Sequence, residues 1–210
     1  MSYAVFSFMI VVDVETTGNN DEKNSIVSVG AVDFCNPTKQ FYQECKIWEG
    51  AEIEVFALKK NGFTEEQVKD SNKMSLNILI SNFLKWSEPV SDKTLAGENP
   101  TFDSGFLENS FKRYGIKWPF GYRTVDLHAL SYSHHISRKL TPPMREYRTD
   151  LSLNKTLVYV GLFDEPNPHN ALTGAEMEAE AFHRLIYGTK LLEEFEKYEI
   201  PEYLRRSNAK

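Results

Sequence analysis

The run from Val5 to Val14 (VFSFMIVVDV) is rich in β-branched, apolar residues and ends in charge, with Asp13, Val14 and Glu15 closing it. Such a run suits a central strand covered on both faces. Side chains two apart on a strand point to the same face, so Asp13 and Glu15 project together. The fold must therefore bury this segment and still gather two like charges at its end. That is costly unless a cation neutralises them, and hard carboxylate oxygens suit Mg²⁺ or Mn²⁺. For a bare Asp-x-Glu, two acids flanking an exposed strand end would be the simpler account.

The rest of the chain supplies partners for that strand. Ile26–Phe34 (IVSVGAVDF) is a second strand and Gln40–Trp48 a third. The turn-rich Gly18–Asn24 segment joins the first two as an antiparallel meander. Beyond Trp48 the pattern turns helical, and Leu76, Leu79, Ile80, Phe83 and Leu84 share one helix face. A short strand at Lys93–Ala96 precedes a helix from about Thr101 to Tyr114, which Gly115 stops. Another short strand near Tyr122–Val125 leads into a helix from Asp126. A short helix follows over Leu151–Gly161, and a long one from Ala171 to about Tyr198. Strands first, then strands alternating with helices, predict an α/β layer with a mixed sheet.

A length of 210 residues suits one domain spanning residues 1–210. Within it, residues 131–150 contain two prolines and several Arg and Lys, and read as a loop insertion, either a lid over the site or a solvated loop. Tyr3–Val12 lacks the basic flank and small-residue cleavage site of a signal peptide, and is far short of the ~20 residues that span a bilayer. Cys35 and Cys45 are too few for a disulfide framework, which points to a reduced, cytoplasmic setting without a membrane. The net charge of −6 argues against unspecific coating of a duplex, whose affinity comes from Lys and Arg neutralising phosphates. Local grip on a strand end remains open, because bound cations can supply the positive charge.

Three further segments carry candidate chemistry. Thr16, Thr17 and Gly18 place two hydroxyls and a flexible backbone beside the acids, a cradle for a terminal sugar or phosphate. Asp103 falls in the opening turn of a helix, where stabilisation of the helix dipole, worth ~0.3–1 kcal/mol, would also explain it. His169 precedes the last helix. A histidine there is commonly a helix-start residue, but a phosphodiesterase needs a base for its water, and imidazole titrates in a useful range.

In order along the chain, Asp13-Val14-Glu15-Thr16-Thr17-Gly18, Asn99-x-x-Phe102-Asp103 and His169-x-Ala171-Leu172-x-x-Ala175 resemble the three motifs of the DEDDh-type 3′–5′ exonucleases. That family includes polymerase proofreading subunits, ribonuclease T and oligoribonuclease. The connectors are also similar: Ser25–Val32 to the family's second strand, Asn61-Gly62-Phe63-Thr64 to its His-Gly-Ile-Thr segment, and Arg123–Leu127 to the stretch before the third motif. The likeness runs from about residue 8 to residue 188. It implies a ribonuclease-H-like α/β fold with a mixed sheet of about five strands and helices on both faces. It also implies hydrolysis of single-stranded RNA or DNA from the 3′ end to 5′-monophosphates, using two Mg²⁺ or Mn²⁺ ions about 4 Å apart. Asp13, Glu15 and Asp103 would hold metal, and His169 would be general base. Thr16, Thr17, Gly18, Asn99 and Phe102 would contact the terminal nucleotide. Many relatives are dimers, so the resemblance admits a homodimer.

The family pattern breaks at one position that matters. Five residues after the histidine the family has a metal-binding aspartate, and this chain has Gly174. Glu178 lies one turn further along and about 40° around the helix, whereas Glu176 and Glu180 point elsewhere. A longer side chain leaning toward the helix N-terminus lets Glu178 substitute, unless it is one more solvated glutamate on a charged helix. Alternatively three carboxylates suffice, or the protein binds nucleic acid without cutting it. A phosphodiesterase acting on short nucleotides is a further alternative. Lesser departures are Glu98, where the family often has histidine, and Asn19, where it often has an apolar wedge.

Overall fold

The computed structural model describes residues 9–205, so the first part of the expected strand, residues 5–8, lies outside the described residues. Strand β1 covers Ile10–Thr16, β2 Ile26–Asp33 and β3 Gln40–Glu44. Helices α1 (Val55–Asn61), α2 (Glu65–Lys69) and α3 (Leu76–Ser87) lead to β4 (Leu95–Gly97) and α4 (Thr101–Arg113). Then come β5 (Thr124–Asp126), α5 (Leu127–Ser137), a hairpin of β6 (Met144–Arg145) and β7 (Arg148–Thr149), α6 (Leu153–Tyr159) and α7 (Ala171–Tyr187). The main sheet has five strands in the order β3-β2-β1-β4-β5, with β1–β2 and β2–β3 antiparallel and β1–β4 and β4–β5 parallel. The expected mixed α/β sheet is therefore the one observed.

Period-2 alternation sorts β1 onto two cores. Ile10, Val12 and Val14 pack with Leu79, Ile80 and Phe83 of α3 and Phe106, Leu107 and Phe111 of α4. Val11 packs on the opposite face with Ala175, Ala179 and Phe182 of α7 and Leu157 of α6. Helices thus cover both faces. Asp13 and Glu15 continue the Val11 face, and their cross-strand neighbours on β2 are Gly30 and Ser28. Gly30 is required by its neighbour: a Cβ there would lie 2.1 Å from the Ala171 backbone. Only a bare backbone lets the start of α7 come so close to the strand pair that carries the acids.

Four boundaries differ from expectation, each for a local reason. β3 stops at Glu44, after which Cys45 N–H donates to Val27 and Lys46 bridges to Ser75. Lys93 does not enter β4, because its ammonium donates to the carbonyls of Ser87, Glu88 and Val90 at the end of α3, and β4 begins two residues later. Residues up to Ser137 of the expected 131–150 loop belong to α5, with Ser131 and His135 buried, and the hairpin orders most of the remainder.

The long last helix ends at Tyr187 rather than near Tyr198. Gly188 adopts the left-handed conformation that closes a helix. Within the helix, the fully buried Arg184 pairs with Glu180 at 2.7 Å and donates to the carbonyls of Phe195 and Tyr198 beyond Gly188, while Glu180 accepts from Leu191 and Leu192 N–H. This buried ion pair folds the chain back across the helix.

Candidate active site

β1 and β4 pair only through Ile10–Leu95 and Val11–Ala96 and then part company. In the opening between their ends, Asp103 reaches from the first turn of α4 and accepts the Val14 N–H at 2.9 Å. A strand-end donor that lacks a ladder partner is satisfied by a carboxylate. Asp103 is therefore not a surface helix cap; it is buried and docked on the acid strand.

From the other side, α7 brings His169 to the acids. Asn170 caps the helix by accepting from Leu172 and Thr173 N–H, and donates to the Tyr42 hydroxyl at 3.0 Å. His169 N–H donates to the Lys60 carbonyl at the end of α1. The same α1 terminus is tied to β1, where Asn61 Nδ2 donates to Thr16 O at 3.0 Å. Two anchors thus hold the histidine beside the end of β1.

These elements enclose a cavity of about 550 Å³ lined by Asp13, Glu15, Asp103, Glu178, Glu98, Glu165, His169, Lys60, Asn19, Asn99 and Phe102, with Ser152–Asn154 closing one wall. Glu178 is only 4% exposed, so it is not one of the solvated glutamates of α7. One of its oxygens accepts the Glu98 N–H at 3.2 Å, and the other is buried without a partner.

The electrostatics are those of crowded, dehydrated acids. Burial pushes the Glu15 carboxyl from the ordinary 4.5 up to about 7, with His169 and Lys60 pulling against it. Burial likewise pushes Asp103 up to about 7, partly offset by the Val14 N–H. Asp13 is raised well above its usual range by burial and then by Asp103, Glu15 and Glu165. Glu178 is raised by burial, Asp13 and Asp103, and Glu98 goes up to about 8 by burial and the nearby Asp126. So many neighbouring carboxyls, two of them (Glu98 and Glu178) with an orphaned buried oxygen, fit a place for divalent cations.

The structure brings together Asp13, Glu15, Asp103, His169, Glu178, Asn99 and Phe102 around the cavity. It does not bring Thr16, Thr17 and Gly18 to line it. Thr16 Oγ1 donates to Gly18 O, and Thr17 Oγ1 donates to Glu52 O while accepting from Ser25 N–H. Those hydroxyls shape the β1–β2 turn, because a tight turn needs its polar groups satisfied locally. Asn99 takes a left-handed backbone (φ 55°), which asparagine tolerates, and so starts α4 at the angle that turns Asp103 inward.

Sequence reasoning missed Lys60, Glu165 and Asn154. Lys60 follows Lys59 and Glu165 follows Asp164, with no motif around either pair, and only the packing of α1 and the 161–170 loop against β1 makes them meet. Glu165 Oε2 sits 3.0 Å from His169 Nδ1, and its N–H donates to Asn154 Oδ1 at 2.9 Å. The four-residue Glu-to-His spacing was visible but lies in a proline-containing loop, where helical spacing carries no information.

A family model for the 3′–5′ exoribonuclease Rv2179c-like domain matches residues 8–186. The chain is 24% identical over 203 residues to ribonuclease T of Shewanella sp. (strain ANA-3), covering 88% of this chain and 84% of that protein. It is 23% identical over 200 residues to the PolC-type DNA polymerase III of Listeria innocua, covering 95% of this chain but only 13% of that much longer protein. Among solved structures, the nuclease domain of 3′hExo, a DEDDh family member bound to rAMP, superposes with a TM-score of 0.67 at 17% identity, covering 96% of this chain and 99% of that one. Escherichia coli exonuclease I in complex with a dT13 oligonucleotide superposes with a TM-score of 0.68 at 15% identity, covering 85% of this chain and 41% of that one. The fold is the ribonuclease-H-like arrangement of DEDDh exonucleases. Among the described residues no helix is long and apolar enough to cross a membrane.

Proposed function

Since this chain belongs to the 3′–5′ exoribonuclease Rv2179c-like domain family, we propose that it removes nucleotides stepwise from the 3′ end of a single strand, releasing 5′-monophosphates, in a metal-dependent reaction within one domain. The observation that carries this is the convergence of Asp13, Glu15, Asp103 and His169 from three separate segments into one cavity. The family's description makes RNA the first substrate to test, with DNA as its matched comparison.

Asp13, Glu15, Asp103 and Glu178 would hold Mg²⁺ or Mn²⁺, and the ions would supply a nucleophile at neutral pH and charge stabilisation at the scissile phosphate. His169 would take the proton of the attacking water, a role supported by Glu165 at its Nδ1, which leaves Nε2 for that task. Lys60, the one lysine lining the cavity, would meet the incoming phosphate. Phe102, whose ring lies 4.9 Å from that of Phe106, offers a braced face against which a terminal base can stack. Asn19 stands where an apolar wedge would act in relatives, so base separation there rests on Phe102. No observation favours a homodimer, and the chemistry does not need one.

A module of the same fold that binds without cutting was suggested by the missing acid at 174. The inward, buried carboxylate of Glu178 weighs against it. End-labelled RNA and DNA oligomers incubated with Mg²⁺ or Mn²⁺ should shorten from the 3′ end, and Asp13→Ala should abolish the shortening. Shortening that survives both chelation and that substitution would exclude the mechanism.

A further inference from the structure

Gly174 and Glu165 compete for one volume. A Cβ built on Gly174 would lie 2.2 Å from Asp13 Oδ2 and 3.3 Å from Glu165 Oε1. The first distance is an overlap with a functional carboxylate, and the second is tighter than ordinary contact. In a chain carrying aspartate at this position, Asp13 and Glu165 would both have to move. Here the helix withdraws its side chain and the 161–170 loop inserts one instead.

Glu165 is built in rather than draped over the site. Its side chain is 6% exposed, its Oε2 is 3.0 Å from His169 Nδ1, and its backbone N–H is fastened to Asn154 of α6. Ligand atoms of Glu15, Glu165 and His169 all lie within 4.8 Å of one another, a spacing one cation can span. Independently, the orphaned buried oxygens of Glu178 and Glu98, residues that both line the same cavity, mark it as one that wants positive charge.

We propose that Glu165, with Glu15, supplies a further metal-binding carboxylate beside Gly174, in addition to those of Asp13, Asp103 and Glu178, so that Gly174 and Glu165 form a matched exchange of helix acid for loop acid. The inference rests on the nuclease assignment above and concerns which residue completes its cation site. The competing role for Glu165 is purely to position His169 through Nδ1, in the manner of a carboxylate that orients an imidazole.

Titration calorimetry and Mn²⁺ electron paramagnetic resonance, with AMP present and no polymer substrate, separate these roles. Wild type, Glu165→Gln, Asp164→Asn, Asp13→Asn, Gly174→Asp and the double variant Gly174→Asp/Glu165→Gln would be compared after thermal melts show them folded. Glu165→Gln should weaken Mn²⁺ binding at least about tenfold, while Asp164→Asn, on the exposed neighbouring position, should bind as wild type does. Gly174→Asp should bind less well than wild type, and adding Glu165→Gln to it should recover affinity, because the isosteric amide removes the charge repulsion between the helix acid and the loop acid. Wild-type affinity in Glu165→Gln, alongside a loss in Asp13→Asn, would overturn the exchange and leave Glu165 as a positioning residue. Absence of Mn²⁺ binding in wild type would overturn the nuclease assignment itself, and the exchange with it.

Discussion

The carboxylate of Glu178 accepts a 3.2 Å hydrogen bond from the backbone N–H of Glu98, 80 residues earlier in the chain, while its second oxygen is buried with no hydrogen-bond partner among the described residues. One oxygen is therefore aimed by the end of β4 and the other is left without a hydrogen bond. Burying an uncompensated acid destabilises a fold, and residues kept at such a cost concentrate at functional sites.

Glu178→Gln should accordingly trade activity for stability. The rate of 3′-end shortening should fall about tenfold or more, in line with losses seen when the surroundings of a metal site are altered. The melting temperature without metal should rise, since a buried acid no longer competes with Asp13 and Asp103. Glu176→Gln, on a different face of α7, should leave the rate within about twofold. Equal effects in the two variants would remove Glu178 from the site.

The metal-free protein should be most stable in mild acid. Burial holds Glu15 and Asp103 near 7 and raises Asp13 and Glu178 well above their ordinary values, so the folded state binds more protons than the unfolded state as pH rises from the ordinary carboxylate range. Stability then declines as pH rises from about 4.5 through 7. Thermal melts in EDTA should show the highest midpoint near pH 5 and a fall by pH 8, and Mn²⁺ should restore the midpoint at the upper end. Mn²⁺ affinity should rise over the same interval, because binding displaces protons. A midpoint that is flat or rising with pH in EDTA would contradict the crowding of acids described above.

Gly30→Ala tests how closely α7 must approach. Its new Cβ would fall 2.1 Å from the Ala171 backbone, which cannot yield without moving the start of the helix. Overpacking of this kind costs about 1–3 kcal/mol, measurable by urea denaturation. His169 rides on that helix start, so the rate should drop as well. A variant as stable and as active as wild type would show that the helix adjusts freely.

Arg184→Met separates folding from chemistry. The substitution leaves Glu180 buried and unpaired and frees the carbonyls of Phe195 and Tyr198. Breaking one side of a buried pair costs about 3–5 kcal/mol, so denaturation should shift strongly toward lower denaturant. At low temperature the folded fraction should still bind Mn²⁺ as wild type does, since the pair lies away from the cavity lining. A selective loss of metal binding in a stable variant would show that this pair serves the site.

How far the site could be read in advance varies from residue to residue. Asp13 and Glu15 were legible because their signal is local: a two-residue period at the end of a buried strand. Asp103 and His169 were legible only through motif order, since each has an ordinary helix-start explanation. The hydroxyls of Thr16 and Thr17 bond within the protein, which the sequence does not reveal, because a hydroxyl beside an acid looks the same there whether it faces a substrate or closes a turn. The end of α7 was misplaced because apolar spacing persists past Gly188, and only the buried Arg184 and Glu180 show that the chain has doubled back.

The sequence by itself determined the strand that must be buried, the acids that must meet at its end, and the alternation that predicts a mixed α/β sheet. These rest on short-range periodicities that the backbone imposes on any chain. Only the tertiary structure decided what surrounds Gly174. Whether Glu178 turns inward and whether Glu165 reaches His169 depend on angles between α7, β4 and the 161–170 loop. Those angles follow from close packing across the whole molecule, such as the bare Gly30 beneath Ala171, and no local pattern records them.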